Sequence, residues 1–165
     1  MKTLISLFLI LFLSSCIKPT PPNIDDSKAE MTLKFRAIKV AGTRWTDQNI
    51  DTRINWMKVA FFPTNLKIQQ LPIETIDKPE WISIESQEFN TVFAYCKNRN
   101  EVNKEEAVIL TDKLVFKDGI EYGGGANCID NISPLNRYGT IWSANSYESV
   151  GFHELAHRLT LKHSE

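Results

Sequence analysis

Strand-patterned and helix-patterned segments take turns along most of this 165-residue chain, and no other feature restricts its fold as much. From Met31 onward, Leu33, Phe35 and Ala37 alternate with Lys34, Arg36 and Ile38, a period of two that specifies a strand. Ile50, Ile54, Met57 and Phe61 then share one face of a helix over 47–62, which Pro63 stops. Residues 66–76 read as a second strand, with Pro72 at an edge or bend because proline cannot donate to a ladder. A short amphipathic helix is expected around Phe89, Val92, Phe93 and Cys96, and the run Ala107-Val108-Ile109-Leu110 reads as a buried strand. Gly123, Gly124 and Gly125 open a loop that enters a strand ending near Ile129, and 138–142 form a further strand. A last helix is expected from near Asn145, where Glu148 three residues on completes a capping box, with Phe152, Leu155, Ala156 and Leu159 as its apolar face. This order predicts an α/β domain with a mixed, largely parallel twisted sheet.

The first thirty residues follow another pattern. Lys2 precedes an apolar run over 4–13 that only Ser6 interrupts, too short to span a bilayer and proportioned like the core of a signal peptide. It ends in Leu13-Ser14-Ser15-Cys16, which resembles the lipobox of bacterial lipoproteins. That resemblance implies a signal peptide over 1–15 and a lipid anchor on Cys16. It also implies export to a bacterial membrane, with the domain facing the periplasm or the cell surface. Residues 16–30, with Pro19, Pro21, Pro22, Asp25 and Asp26, read as the lipidated N-terminus and a flexible tether, leaving 31–165 as the folded domain. In an oxidising compartment Cys96 and Cys128 are expected either to pair as a disulfide or to remain two buried thiols. Nineteen basic residues against twenty acidic ones, without a basic cluster, argue against a nucleic-acid partner.

All three histidines of the chain lie in one window, His153-Glu154-Leu155-Ala156-His157 and then His163. Residues four apart on a helix sit nearly above one another, so His153 and His157 can present both imidazoles to one zinc ion. Glu154 is rotated about 100° from His153 and can reach a water at the ion's open position without becoming a ligand. Six residues of unbroken helix would turn His163 about 240° from His157 and carry it about 9 Å along the axis. For His163 to join the same ion, the helix must end near Leu159 or Thr160 and the chain must bend back.

The pattern resembles HExxHxxGxxH, the signature of the metzincin metallopeptidases, at His153, Glu154, His157 and His163. It departs at Thr160, where that family has glycine. A β-branched residue in the left-handed region costs roughly 1–2 kcal/mol, which structural zinc binding, worth about 10–16 kcal/mol in small peptides, can absorb. Upstream, the order from Ala107 through Gly124, Asn127, Tyr138 and Ser143 resembles the reprolysin and pappalysin arrangement, and Ser164 resembles the matrixins. The resemblance implies an upper metzincin subdomain with an antiparallel edge strand, and Gly124, Gly125 and Ala126 lying along a bound peptide. The other reading of those three residues is a flexible loop. The resemblance further implies one zinc ion held by His153, His157 and His163, Glu154 as general base, and hydrolysis of peptide or protein substrates. Metzincins also carry a methionine turn downstream of the third histidine, whereas Met1, Met31 and Met57 all lie upstream. The likeness is therefore expected to cover 31–165 only, without the lower subdomain. A metzincin-like surface lipoprotein that binds without cutting is the alternative expectation.

Overall fold

The computed structural model describes residues 31–62, 66–115, 119–122, 124–129 and 137–158, without the side chains of Tyr122, 127–129, Arg137, His157 and Arg158. Strand β1 (Met31–Val40) leads into helix α1 (Asp47–Phe61), followed by β2 (Leu66–Gln70) and β3 (Glu74–Ile76). A 3-10 turn (Pro79–Trp81) precedes β4 (Ser83–Glu85), and α2 (Phe89–Asn98) runs on into a π turn (Arg99–Asn103). Then come β5 (Glu106–Thr111), β6 (Lys113–Val115), β7 (Glu121–Tyr122), β8 (Gly125–Ile129), β9 (Arg137–Ser143) and α3 (Val150–Arg158).

The main sheet has the order β2-β1-β5-β9-β8, and β3 also pairs with β1. Every pairing in it is parallel except that of β8 with β9, which makes β8 an antiparallel edge strand. The mixed, mostly parallel α/β architecture expected from the alternating pattern is thus the observed one. Strands β2 and β3 run along successive stretches of β1, and Pro72 sits in the gap between them on the sheet's edge. Its missing N–H there breaks no ladder bond.

The sheet is covered on both sides. On one side Phe35, Ala37, Val108, Leu110 and Trp142 pack against Ile50, Ile54, Met57 and Phe61 of α1 and against Val150 and Leu155 of α3. On the other, Ile38, Ile109 and Ile141 form one row across three paired strands. They meet Val92 and Cys96 of α2 and a second small sheet, β4-β6-β7, through Ile84 and Leu114. Sequence pattern did not show that small sheet, whose strands are only two or three residues long. Helix α1 is capped as its composition favours, since Thr46 Oγ1 accepts from the Asn49 N–H at 3.2 Å. Beyond α2, Lys104 adopts a left-handed φ of 55° and ends the helical path. Glu105, 2% exposed, then accepts from Arg36 at 2.7 Å and lies 3.3 Å from Arg99, tying that end to β1.

The last helix corrects the expectation in two respects. It starts at Val150, not at Asn145, and the capping box does not form: the Glu148 carboxylate accepts instead from Trp56 Nε1 at 2.9 Å. The buried stripe is Val150, Gly151, Glu154 and Leu155, whereas Phe152 is 37% exposed, with its ring 5.0 Å from that of Phe61. Leu159 lies outside the described residues. Gly151 explains how α3 comes so near the sheet. A Cβ there would stand 2.7 Å from the Trp142 ring and 2.8 Å from Met57 Sδ. Gly151→Ala is therefore expected to overpack this seam at a cost of about 1–3 kcal/mol, despite alanine's better helix propensity, and to lower the melting temperature. A melting temperature equal to or above that of the wild type would refute the close fit.

Candidate active site

The segment between β9 and α3 is built by a set of local hydrogen bonds. The Ala144 N–H donates to Thr111 O at 2.9 Å, and Ser146 donates to Ser143 O through both its N–H and its hydroxyl. Ser149 O then accepts the first helical bond, from the His153 N–H at 3.1 Å. Arg53 of α1 reaches across from below. It donates to Ser146 Oγ at 2.5 Å, Ser146 O at 2.8 Å and Tyr147 O at 2.9 Å, and its guanidinium lies 4.6 Å from the Trp45 ring centroid. Burial pushes the Arg53 guanidinium down from its ordinary value, and Glu148 nearby pushes it back up.

Between this turn and the edge strand lies a pocket of about 480 Å³. Gly124 and Gly125 form one wall, Asn145, Tyr147 and Ser149 the other, and Val150, His153 and Glu154 of α3 the floor. Strand β8 is held there by its ladder to β9, which the Ser143 N–H extends by donating to Gly124 O at 3.1 Å. Among the described residues, no strand pairs with the outer edge of β8. Glu154 is 5% exposed, whereas the His153 side chain is half exposed. His153 Nε2 stands 4.0 Å from Glu154 Oε1, so both functional groups face the same space.

Of the residues singled out in the sequence, the structure brings together His153, Glu154, Gly124 and Gly125. Ala126 follows on β8 and packs partly buried on the α2 side of the sheet. His157 is one helical turn after His153, but its side chain lies outside the described residues, as do His163, Thr160 and Cys16 in full. Among the described residues no group of three or more histidine, cysteine, aspartate or glutamate side chains comes together. Cys96 is buried on α2, and the Cys128 side chain is also outside the described set.

Sequence reading missed Arg53 and the 145–149 wall. Arg53 left one trace, a charged residue set into the apolar stripe between Ile50 and Met57. The wall left none, because it is assembled by contacts from elsewhere in the chain. Asn145 Nδ2 donates to Glu121 Oε1 at 2.7 Å, and Arg44 Nη2 donates to Asn145 Oδ1 at 2.9 Å. Lys113 Nζ donates to Glu121 Oε2 at 3.0 Å, and this bond holds the Glu121 carboxyl below the ordinary glutamate range, with Asn145 adding to it. A carboxyl depressed in the folded state favours folding above its unfolded pKa, and that contribution disappears as pH falls through the folded pKa. A carbon-detected NMR titration of Glu121 should therefore give a midpoint below that of a free glutamate, and Lys113→Ala should raise it. A wild-type midpoint in the ordinary range would disprove the link.

A mostly parallel sheet with one antiparallel edge strand, and a helix packed beside that edge to floor a pocket, defines a mixed α/β fold. The fold is similar to that of metalloproteinase-II from Bacteroides fragilis, with a TM-score of 0.57 and 18% sequence identity. The match covers 90% of this chain and 47% of that one, so the chain spans about half the length of the protein it resembles. No protein-family profile matches the chain, and no curated protein is detectably similar to it in sequence.

Proposed function

We propose that this chain is a metzincin-type, zinc-dependent endopeptidase. The observation that carries the reading is the shared pocket: His153 and the buried Glu154 face one cavity beside a strand edge that has no partner strand among the described residues. The donor set fits zinc, because an imidazole open to the cavity is followed one turn later by a second histidine on the same helix. His153 and His157 would hold the ion, with His163 as third ligand after a bend near Thr160.

Zinc, when bound, polarises a carbonyl and acidifies water. The remaining steps belong to the chain's own side chains. Glu154 takes a proton from the attacking water and passes it to the leaving amine. The backbone of Gly124, Gly125 and Ala126 receives the peptide as an added strand, which aligns the scissile bond with the pocket. Val150 of α3 and Asn145, Tyr147 and Ser149 line the rest of the pocket. Independently of the pocket, the lipobox-like Leu13-Ser14-Ser15-Cys16 supports a domain anchored outside the cytoplasm through a lipid on Cys16.

The test is purification of the chain followed by two measurements, metal content by mass spectrometry and cleavage of a denatured protein. One zinc per chain with chelator-sensitive cleavage is the expected result. Stoichiometric zinc without turnover would replace this reading with a binding module, and absence of zinc would overturn both. Intact mass of the membrane fraction tests the anchor: a diacylglycerol-modified Cys16 is expected at the mature N-terminus.

A further inference from the structure

The edge strand holds a glycine where its partner helix leaves no room for any side chain. Gly125 lies opposite Trp142 in the antiparallel ladder and is buried under α3. A Cβ at this position would stand 2.6 Å from Glu154 Cγ, 2.9 Å from Ile141 O and 2.9 Å from Val150 Cγ2. All three distances are far inside van der Waals contact for such atoms. The three neighbours are unequal in their freedom to yield. Ile141 belongs to β9, which is paired on both sides, so its carbonyl is fixed by the sheet. Val150 is part of the core between α1, α3 and the sheet. The Glu154 side chain is the longest and borders the open pocket.

We propose that Gly125 is a positioning residue for Glu154. The missing side chain forms a slot on β8 into which the glutamate's aliphatic stem fits, so its carboxylate is held against the strand edge and beside His153. Any larger residue expels the stem from the slot and turns the carboxylate toward solvent. A glycine next to a strand edge is thus used here for the fit of a facing side chain, and its own φ is not in the left-handed region. The catalytic part of this inference rests on Glu154 acting as the general base. The packing part does not.

A double-mutant cycle at positions 125 and 154 separates the two. Gly125→Ala should lower the melting temperature in the wild-type background and lower it clearly less when Glu154→Ala has already removed the Cγ atom. Carbodiimide labelling read by mass spectrometry should modify Glu154 faster in Gly125→Ala than in the wild type. In zinc-loaded protein, Gly125→Ala should reduce kcat by about a hundredfold, the scale of a misplacement of about 1 Å, with metal content unchanged and KM much less affected. An equal loss of melting temperature in both backgrounds, or unaltered labelling of Glu154, would overturn the proposal. If Gly125→Ala alone does not fold, recovery of folded protein by adding Glu154→Ala is the expected result, and failure to recover it counts against the slot. A wild-type protein without turnover would sink the peptidase reading while leaving the cycle and the labelling to decide the role of Gly125.

Discussion

On the proposed peptidase reading, Glu154→Gln should abolish peptide hydrolysis while leaving zinc bound. Glutamine keeps the shape and length of the side chain, so it can fill the slot over Gly125 that the glutamate stem occupies. It cannot accept a proton at the relevant pH, and loss of a general base reduces turnover by about a hundredfold to ten-thousandfold. Metal should stay because the proposed ligands are the imidazoles, and Glu154 Oε1 stands 4.0 Å from His153 Nε2. The measurement pairs metal content with single-turnover cleavage of a denatured substrate. Turnover within about tenfold of the wild type would remove Glu154 from the role of base.

The second large effect is expected for Arg53→Ala. Arg53 is 8% exposed and serves Ser146 Oγ, Ser146 O and Tyr147 O at once, under the wall of the pocket. Truncation takes its guanidinium donor from the buried Ser146 carbonyl, at a cost of about 1–3 kcal/mol for an unsatisfied group, while the part-buried Tyr147 O keeps only the Val150 N–H. The contact with the Trp45 ring is lost as well. A destabilisation of about 3 kcal/mol is expected, which for a domain of this size lowers the melting temperature by roughly 10 °C. Arg53→Lys should recover only part of it, since one ammonium cannot reproduce the guanidinium's forked contacts. Thermal unfolding followed by circular dichroism provides the check. A melting temperature for Arg53→Ala within about 1 °C of the wild type would show that the wall does not depend on this anchor.

These two residues differ in how visible they are in the sequence. Glu154 is visible because its spacing from two histidines is a local property of one helix. Arg53 is nearly hidden, because its hydrogen-bond partners lie more than ninety positions away and follow no period. The same division runs through the fold. The stripe Ile50, Ile54, Met57 and Phe61 was legible and is buried, and Pro72 falls at the interruption of an edge strand as its chemistry requires. Asn145 and Glu148 have the spacing of a capping box, yet α3 starts at Val150. Their side chains are taken by Glu121, Arg44 and Trp56, whose bonds outcompete a local cap. Hydrophobicity points Phe152 to the core, yet the face that meets the sheet is the one carrying Gly151 and Glu154. Close approach at Gly125 and Gly151 decides which side of the helix turns inward, and a hydrophobic pattern counts glycine as nothing.

Local pattern alone was enough to define an α/β chain with a largely parallel sheet and to place His153, Glu154 and His157 on one helix. These depend on periods of two and 3.6 residues, which repeat within a single element. Contact between remote segments set everything that makes a pocket of that helix. It brought the edge strand beside α3, raised the 145–149 wall on Arg53, and packed the stem of Glu154 against Gly125 of that strand. The physical reason is that such fits depend on distances between surfaces, to within a few tenths of an ångström, and periodicity along the chain carries no information about them.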